Sequence, residues 1–212
     1  YLIRAGYFNL FIGLLFQFNI TIRGIDILVD MIGYYFIYKG LQYLLDQSPY
    51  FQIANKIIIP LGILSAVNLY NFQYHPDIIL SYALILDVLK IIVFAANMFL
   101  IFNLCKGSSE VAATVLKDSY LETNIIQRLY FYLGISSLLL LISIVSLFPN
   151  VSVNSSLQGV FTITYFAYIL VIIVIASGFH SFYRQLSAPP AKSKKNKQKS
   201  SGGKARQAKS KR

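Results

Sequence analysis

The stretch Gly24–Gln42, GIDILVDMIGYYFIYKGLQ, decides how the chain is organised. It is long and apolar enough for a membrane helix, yet it carries a polar residue at every fourth position: Asp26, Asp30, Tyr34, Tyr38 and Gln42. Residues four apart lie nearly above one another on a helix, so the spacing predicts one polar stripe. Because carboxylates deep in a membrane are costly unless they face protein or water, we expect the rest of the chain to pack around this stripe.

The composition points to a polytopic membrane protein. The chain has 212 residues, of which 56% are hydrophobic and 13% charged, whereas soluble domains average about 25% charged residues. The apolar runs predict an all-α transmembrane bundle over residues 1–186, with six helices at 3–19, 24–45, 57–71, 78–104, 129–148 and 157–182. Residues 46–56 are predicted as a loop or short interfacial helix. Residues 108–127 are predicted as an amphipathic surface helix, because Ser108, Ser109 and Glu110 resemble a helix start.

Basic residues predict the orientation. With six helices, one side of the membrane receives both chain ends and all but one of the bases near the helix ends, namely Arg4, Lys39, Lys56, Lys106, Lys117, Arg128 and Arg184. Excess Lys and Arg mark the cytoplasmic side of a membrane protein. The sequence therefore predicts a multi-pass protein with both termini in the cytoplasm.

A second polar group lies in the fourth predicted helix. Asp87, Lys90 and Asn97 share one face of it, and Asp87 is predicted to lie roughly 14 Å inside, near mid-bilayer. Facing the stripe of the second helix, this group would form a polar pocket over Asp26, Asp30, Tyr34, Tyr38, Asp87, Lys90 and Asn97. Such a pocket suits a cation, a proton or a polar solute. The alternative is a set of ion pairs and hydrogen bonds that only fixes helix packing.

The last residues, 187–212, have a different composition. They contain ten bases and no acid, and they are predicted to be a disordered cytoplasmic tail. The bases are Lys192, Lys194, Lys195, Lys197, Lys199, Lys204, Arg206, Lys209, Lys211 and Arg212. Beside a membrane such a tail attracts anionic lipid head groups. It also suits RNA phosphates, including those of a ribosome.

Nothing in the sequence points to catalysis. The chain has no Gly-rich phosphate loop, no zinc-type His and carboxylate spacing and no GxSxG, and Cys105 is its one cysteine. We therefore expect no catalytic residues, no metal and no cofactor.

Residues 6–56 resemble a group of uncharacterised small multi-pass membrane proteins of Gram-positive-type bacteria. The similarity centres on a G-x-D-I-L-P-D-x-I-G-Y core, here Gly24 to Tyr34, in which Val29 replaces the proline. The resemblance covers about a quarter of the chain. It implies a bacterial plasma membrane location and assigns no activity.

Two functional hypotheses follow. The first is transport of a small solute, ion or proton through a polar face shared by the second and fourth helices. The second is a membrane-protein insertion, assembly or scaffold factor, whose tail binds anionic lipid or ribosomal RNA and whose helices bind another membrane protein.

Overall fold

The computed structural model describes residues 2–17, 27–74, 83–147 and 155–187. This part of the chain is helical and has no strand. Its α-helices are α1 (Leu2–Phe16), α2 (Ile27–Gln42), α3 (Pro49–Tyr74), α4 (Ala83–Val111), α5 (Ser119–Val145) and α6 (Ser155–Gln185). A 3₁₀ turn, Leu45–Gln47, precedes α3, and a π turn, Ala112–Leu116, extends α4.

The six helices form a closed ring. Each helix packs against the next one in chain order, and α6 returns to pack against α1. The core lies inside the ring. Four of its five largest buried rings, Tyr7, Phe51, Phe179 and Phe182, lie towards the end that holds the start of α1 and the end of α6, and the fifth, Tyr132, lies in the middle of α5. The apolar bundle that the sequence predicts is therefore organised as a ring with its first and last helices in contact.

Glycines bring α1 and α2 into backbone contact. A Cβ atom built on Gly13 would lie 2.8 Å from the carbonyl oxygen of Gly33, and one on Gly40 would lie 2.8 Å from that of Gly6. The glycines are seven residues apart on each helix, so the antiparallel helices meet at two levels. Small residues permit this close approach of membrane helices.

The start of α3 differs from the prediction. The sequence places the third helix at 57–71, whereas α3 begins at Pro49. The backbone N–H of Tyr50 donates to Ser48 Oγ at 3.2 Å, so Ser48 caps the helix and Pro49 occupies its first position. Proline is favoured there because its missing N–H would be unpaired anyway.

The stretch 108–127, predicted as a surface helix that runs into the fifth helix, is divided between α4, a turn and α5 in the structure. Residues 108–111 continue α4, the π turn follows, and α5 begins at Ser119. The side chain of Asp118 accepts the N–H groups of Tyr120 and Leu121 and so starts α5. Lys117 takes a left-handed conformation (φ 53°) that reverses the chain between the two helices.

Three described helical segments are long and apolar enough to cross a membrane: Asp87–Leu116, Ser119–Val145 and Gly159–Gln185. Leu2–Phe16 is a shorter apolar helix. These segments indicate a membrane-embedded protein, while the six-span arrangement remains a prediction. Residues 188–212 of the basic tail lie outside the described residues.

Candidate functional site

The predicted polar faces of α2 and α4 meet at one contact. The hydroxyl of Tyr34 on α2 donates to Asn97 Oδ1 on α4 at 2.9 Å. Tyr34 is only 6% exposed, and α2 and α4 are not neighbours in the ring. The hydrogen bond therefore crosses the interior of the bundle.

The remaining residues of the stripe do not share that contact. Tyr38 is exposed and lies with Tyr35, Ile59 and Ile63 along a shallow apolar groove between α2 and α3. Four helical residues turn through slightly more than one full rotation, so each step carries the stripe about 40° around the helix. Tyr34 also lines this groove but is nearly fully buried, whereas Tyr38, further around the helix, is exposed.

Two predicted carboxylates cannot be located. Asp26 lies outside the described residues. Asp30 belongs to α2, but its side chain is likewise outside the described part of the structure. Their place in the predicted pocket stays a prediction.

Asp87 and Lys90 form an ion pair on α4, away from Tyr34 and Asn97. Lys90 Nζ donates to Asp87 Oδ1 at 2.9 Å, and the two side chains are 58% and 51% exposed, respectively. The pair lines a cleft of about 360 Å³ between α4, α5 and α6. We call this the charged cleft; its other lining residues are Ile91, Phe94, Leu139, Ser143, Ser146, Leu147, Phe161 and Tyr165.

The charged cleft opens at the end of the bundle opposite the described chain ends. Ser146, which terminates α5, lies in its wall. Asp87 lies near the described start of α4, and its mid-bilayer depth stays a prediction. The C-terminal end of α5 carries partial negative charge, which favours a cation such as Lys90 nearby.

Three tyrosines with neighbouring rings connect the charged cleft with the interior. Tyr165 lines the cleft, its ring centroid lies 6.4 Å from that of Tyr168, and the ring of Tyr168 lies 5.9 Å from that of Tyr132. We call Tyr165, Tyr168 and Tyr132 the tyrosine ladder. Tyr132 is fully buried, and its hydroxyl lies beside Ser136 and Tyr168.

The hydroxyls of Tyr132 and Ser136, at the inner end of the tyrosine ladder, can each form further hydrogen bonds. Within the described residues, neither the Tyr132 hydroxyl nor Ser136 Oγ has a well-formed hydrogen bond. Buried polar groups normally find a partner, often an ordered water. Tyr132 and Tyr168 are not among the predicted site residues, because tyrosines in apolar helices usually mark the membrane interface. Ser136, one turn after Tyr132, was the available signal.

The opposite end of the ring is closed by aromatic packing. The ring of Tyr7 stacks on Phe182 at 4.6 Å and lies 6.2 Å from Phe179. A Cβ atom on Gly107 would meet the ring of Phe51 at 2.8 Å, so α4 and α3 are also tightly joined there. The charged cleft and the tyrosine ladder therefore lead towards a sealed end.

Polar side chains tie the helices together at the sealed end. Arg4 Nη2 donates to the hydroxyl of Tyr183 at 2.9 Å, and Ser48 Oγ donates to Glu110 Oε2 at 2.6 Å. Arg128 donates to Ser177 Oγ at 2.7 Å and to the carbonyl of Val174.

Asp118 joins α5 to the end of α6 as well as capping α5. Gln185 Nε2 donates to Asp118 Oδ2 at 2.8 Å. The backbone N–H of Leu121, the Gln185 amide and the backbone N–H of Tyr120 all favour the ionised carboxylate, and they lower the pKa of Asp118.

No group of three or more metal-ligating side chains occurs among the described residues, and Cys105 is buried. The chain matches no known protein family, and comparison with curated proteins and with solved structures likewise gives no match. The arrangement of the side chains must therefore carry the functional argument.

Proposed function

We propose that the protein is a small membrane transporter, which takes a polar solute or ion into the charged cleft and passes it along the tyrosine ladder. Under the predicted topology the cleft faces the outside and both chain ends lie in the cytoplasm. The plasma membrane of a bacterium is the proposed location. We expect no enzymatic activity.

One observation carries this proposal: the tyrosine ladder leads from an exposed ion pair to the buried hydroxyls of Tyr132 and Ser136, which have no well-formed hydrogen bond among the described residues. Phe94 packs against Tyr168 with ring centroids 5.6 Å apart, so α4, α5 and α6 all contribute to this region. A buried hydroxyl without a full partner costs about 1–3 kcal/mol, so a polar occupant beside Tyr132 and Ser136 would stabilise the bundle. Water or a polar solute in the path removes the cost.

The arrangement also supports a transporter open to one side. The charged cleft is accessible at one end of the ring, and the stack of Tyr7 on Phe182 closes the other. Transport requires a second arrangement that is open at the sealed end. The contact of α1 with α6, which meet in the closing stack, is the place where we expect that opening.

Cysteine accessibility tests the proposal without knowledge of the solute. In a Cys105→Ala background, Ser136→Cys introduces a thiol at the inner end of the tyrosine ladder, and Ser137→Cys serves as a matched control on the outer face of the same helix turn. Both variants are reconstituted in liposomes and treated with a membrane-impermeant thiol reagent.

We expect labelling at position 136 from the side of the charged cleft, and none at position 137, which faces lipid. Ser143→Cys, in the cleft wall, should label fastest from the same side. An unreactive thiol at position 136 beside a reactive one at 143 would refute a polar path. That result would favour the alternative hypothesis, an insertion or scaffold factor whose basic tail binds anionic lipid or ribosomal RNA.

A further inference from the structure

The charged cleft carries two opposite charges that are only partly used by each other. The ion pair engages one carboxylate oxygen of Asp87 and one proton of the Lys90 ammonium. Among the described residues, neither group makes another hydrogen bond. A carboxylate has two acceptor oxygens and an ammonium has three donors, so each can bind a second group of opposite charge.

A ligand that satisfies both groups must itself carry both charges. Its cation would lie against Asp87 and its anion against Lys90, with the existing ion pair left intact. The Lys90 nitrogen and the Asp87 oxygen are 2.9 Å apart, so the two charges of the ligand must also be adjacent. A zwitterion with its ammonium and carboxylate on one carbon atom meets this condition. A lone cation would bind only Asp87, and a lone anion would bind only Lys90.

The walls of the charged cleft suit an apolar group attached to that zwitterion. Leu139, Phe94, Phe161 and Tyr165 surround the ion pair, and the volume of about 360 Å³ lies in the range of small-molecule sites. Aromatic rings also favour a nearby ammonium. Ser143 and Ser146 supply hydroxyls at the rim.

From these features we infer that the charged cleft binds an α-amino acid with an apolar side chain. The inference rests on the proposed function, since it names the class of solute that enters the cleft. It commits the site to a free zwitterion rather than to an ion.

Thermal unfolding of the full chain in detergent tests the inference with matched probes. In leucine the ammonium and the carboxylate are attached to the same carbon. Isopentylamine lacks the carboxylate, and 4-methylpentanoate lacks the ammonium. In 6-aminohexanoate both charges are present but far apart. A ligand raises the melting temperature only if it binds the folded state, so we expect leucine to raise it and the other three to have little effect.

Variants then assign the effect to the ion pair. Asp87→Asn and Lys90→Gln should each weaken leucine binding by about tenfold or more, because each removes a charge-assisted contact. Each single variant leaves the other charge of the ion pair without a partner. The double variant Asp87→Asn/Lys90→Gln removes both charges and so leaves neither unpaired. It should unfold normally and not respond to leucine. Asp46→Asn/Lys106→Gln makes the same changes at the sealed end and should respond as the wild type does.

Three results would overturn the inference, and they separate it from the proposed function. If the response to leucine persists in the double variant, the zwitterion binds elsewhere. If Na⁺, K⁺ or Mg²⁺ raises the melting temperature through Asp87 while leucine does not, the cleft is an ion site and the transport proposal survives. If phosphatidylethanolamine in nanodiscs is the only stabilising zwitterion, the cleft binds lipid head groups. The transport proposal itself fails only if the thiol at position 136 is also unreactive.

Discussion

The contact between α1 and α2 gives the sharpest stability prediction. In Gly13→Ala, the new Cβ atom would lie 2.8 Å from both the Gly33 carbonyl oxygen and the Ile37 backbone nitrogen. These are backbone atoms that cannot rotate away, so the two helices must separate by about 0.6 Å to restore ordinary contact. A gap of that size removes about a quarter to a half of the dispersion energy of each atom pair in contact between α1 and α2.

The magnitude follows from two opposing effects. Overpacking of a tight contact costs about 1–3 kcal/mol, and replacing a helical glycine by alanine returns about 0.5–1 kcal/mol. The difference between these ranges is about 0–2.5 kcal/mol, and we therefore expect Gly13→Ala to lower the free energy of unfolding by about 1 kcal/mol, and by no more than about 2.5 kcal/mol. Gly33→Ala should behave alike, since its Cβ atom would lie 2.9 Å from the Gly13 carbonyl oxygen.

The assay is a denaturant titration of the detergent-solubilised protein, followed by the loss of helical circular dichroism. Gly134→Ala is the matched control, because a Cβ atom there has no neighbour within 4 Å, and it should leave stability unchanged or slightly raised. The double variant Gly13→Ala/Gly33→Ala should cost less than the sum of the two single changes, because the first already separates the helices. Equal stability of Gly13→Ala and Gly134→Ala would refute the close contact.

Three further predictions concern the sealed end. Lys117→Gly should stabilise the protein by about 1 kcal/mol, because glycine adopts the left-handed conformation without the Cβ clash; a lower melting temperature would contradict this. Ser48→Ala should cost about 1–2 kcal/mol in denaturant titration, since it removes the α3 cap and the hydrogen bond to Glu110, and Ser119→Ala, at an exposed position, is its control. The lowered pKa of Asp118 means that its stabilising effect is present above the unfolded pKa of about 3.9 and is lost as the pH falls through the folded value. The difference in melting temperature between wild type and Asp118→Ala should therefore be constant near neutral pH and shrink below about pH 4; a constant difference throughout would argue against the ionised cap.

The apolar periodicity predicted the helical class well, because long hydrocarbon runs leave few alternatives to helices. Boundaries were less predictable where polar residues have tertiary partners. Glu110 was interpreted as the first turn of a new helix, but it lies near the end of α4 and accepts a hydrogen bond from Ser48 on the α3 cap. Nothing local distinguishes the two roles. Asp118, by contrast, carried a usable local signal, since Asp is a favoured N-cap residue.

The candidate site was predictable only in part. Helical spacing identified Tyr34 and Asn97 as polar residues on inward faces, and they meet. The same spacing grouped them with Asp87 and Tyr38, although the rotation along each helix directs those residues elsewhere. Tyr132 and Tyr168 come together only through the packing of α5 on α6, which no spacing within one helix reveals.

The contact of α6 with α1 means that the ring of helices can close only after α6 has been synthesised. α1 and α2 are neighbours in sequence and can form their contact through glycines as soon as both have left the ribosome. The partner that covers the other side of α1 is α6, which is synthesised only after α2 to α5. Until α6 is synthesised, Tyr7 lacks the Phe179 and Phe182 rings that later bury it. One side of α1 therefore stays without its partner until α6 has been synthesised, which makes the intermediate with α1 to α5 the stage most exposed to wrong helix partners.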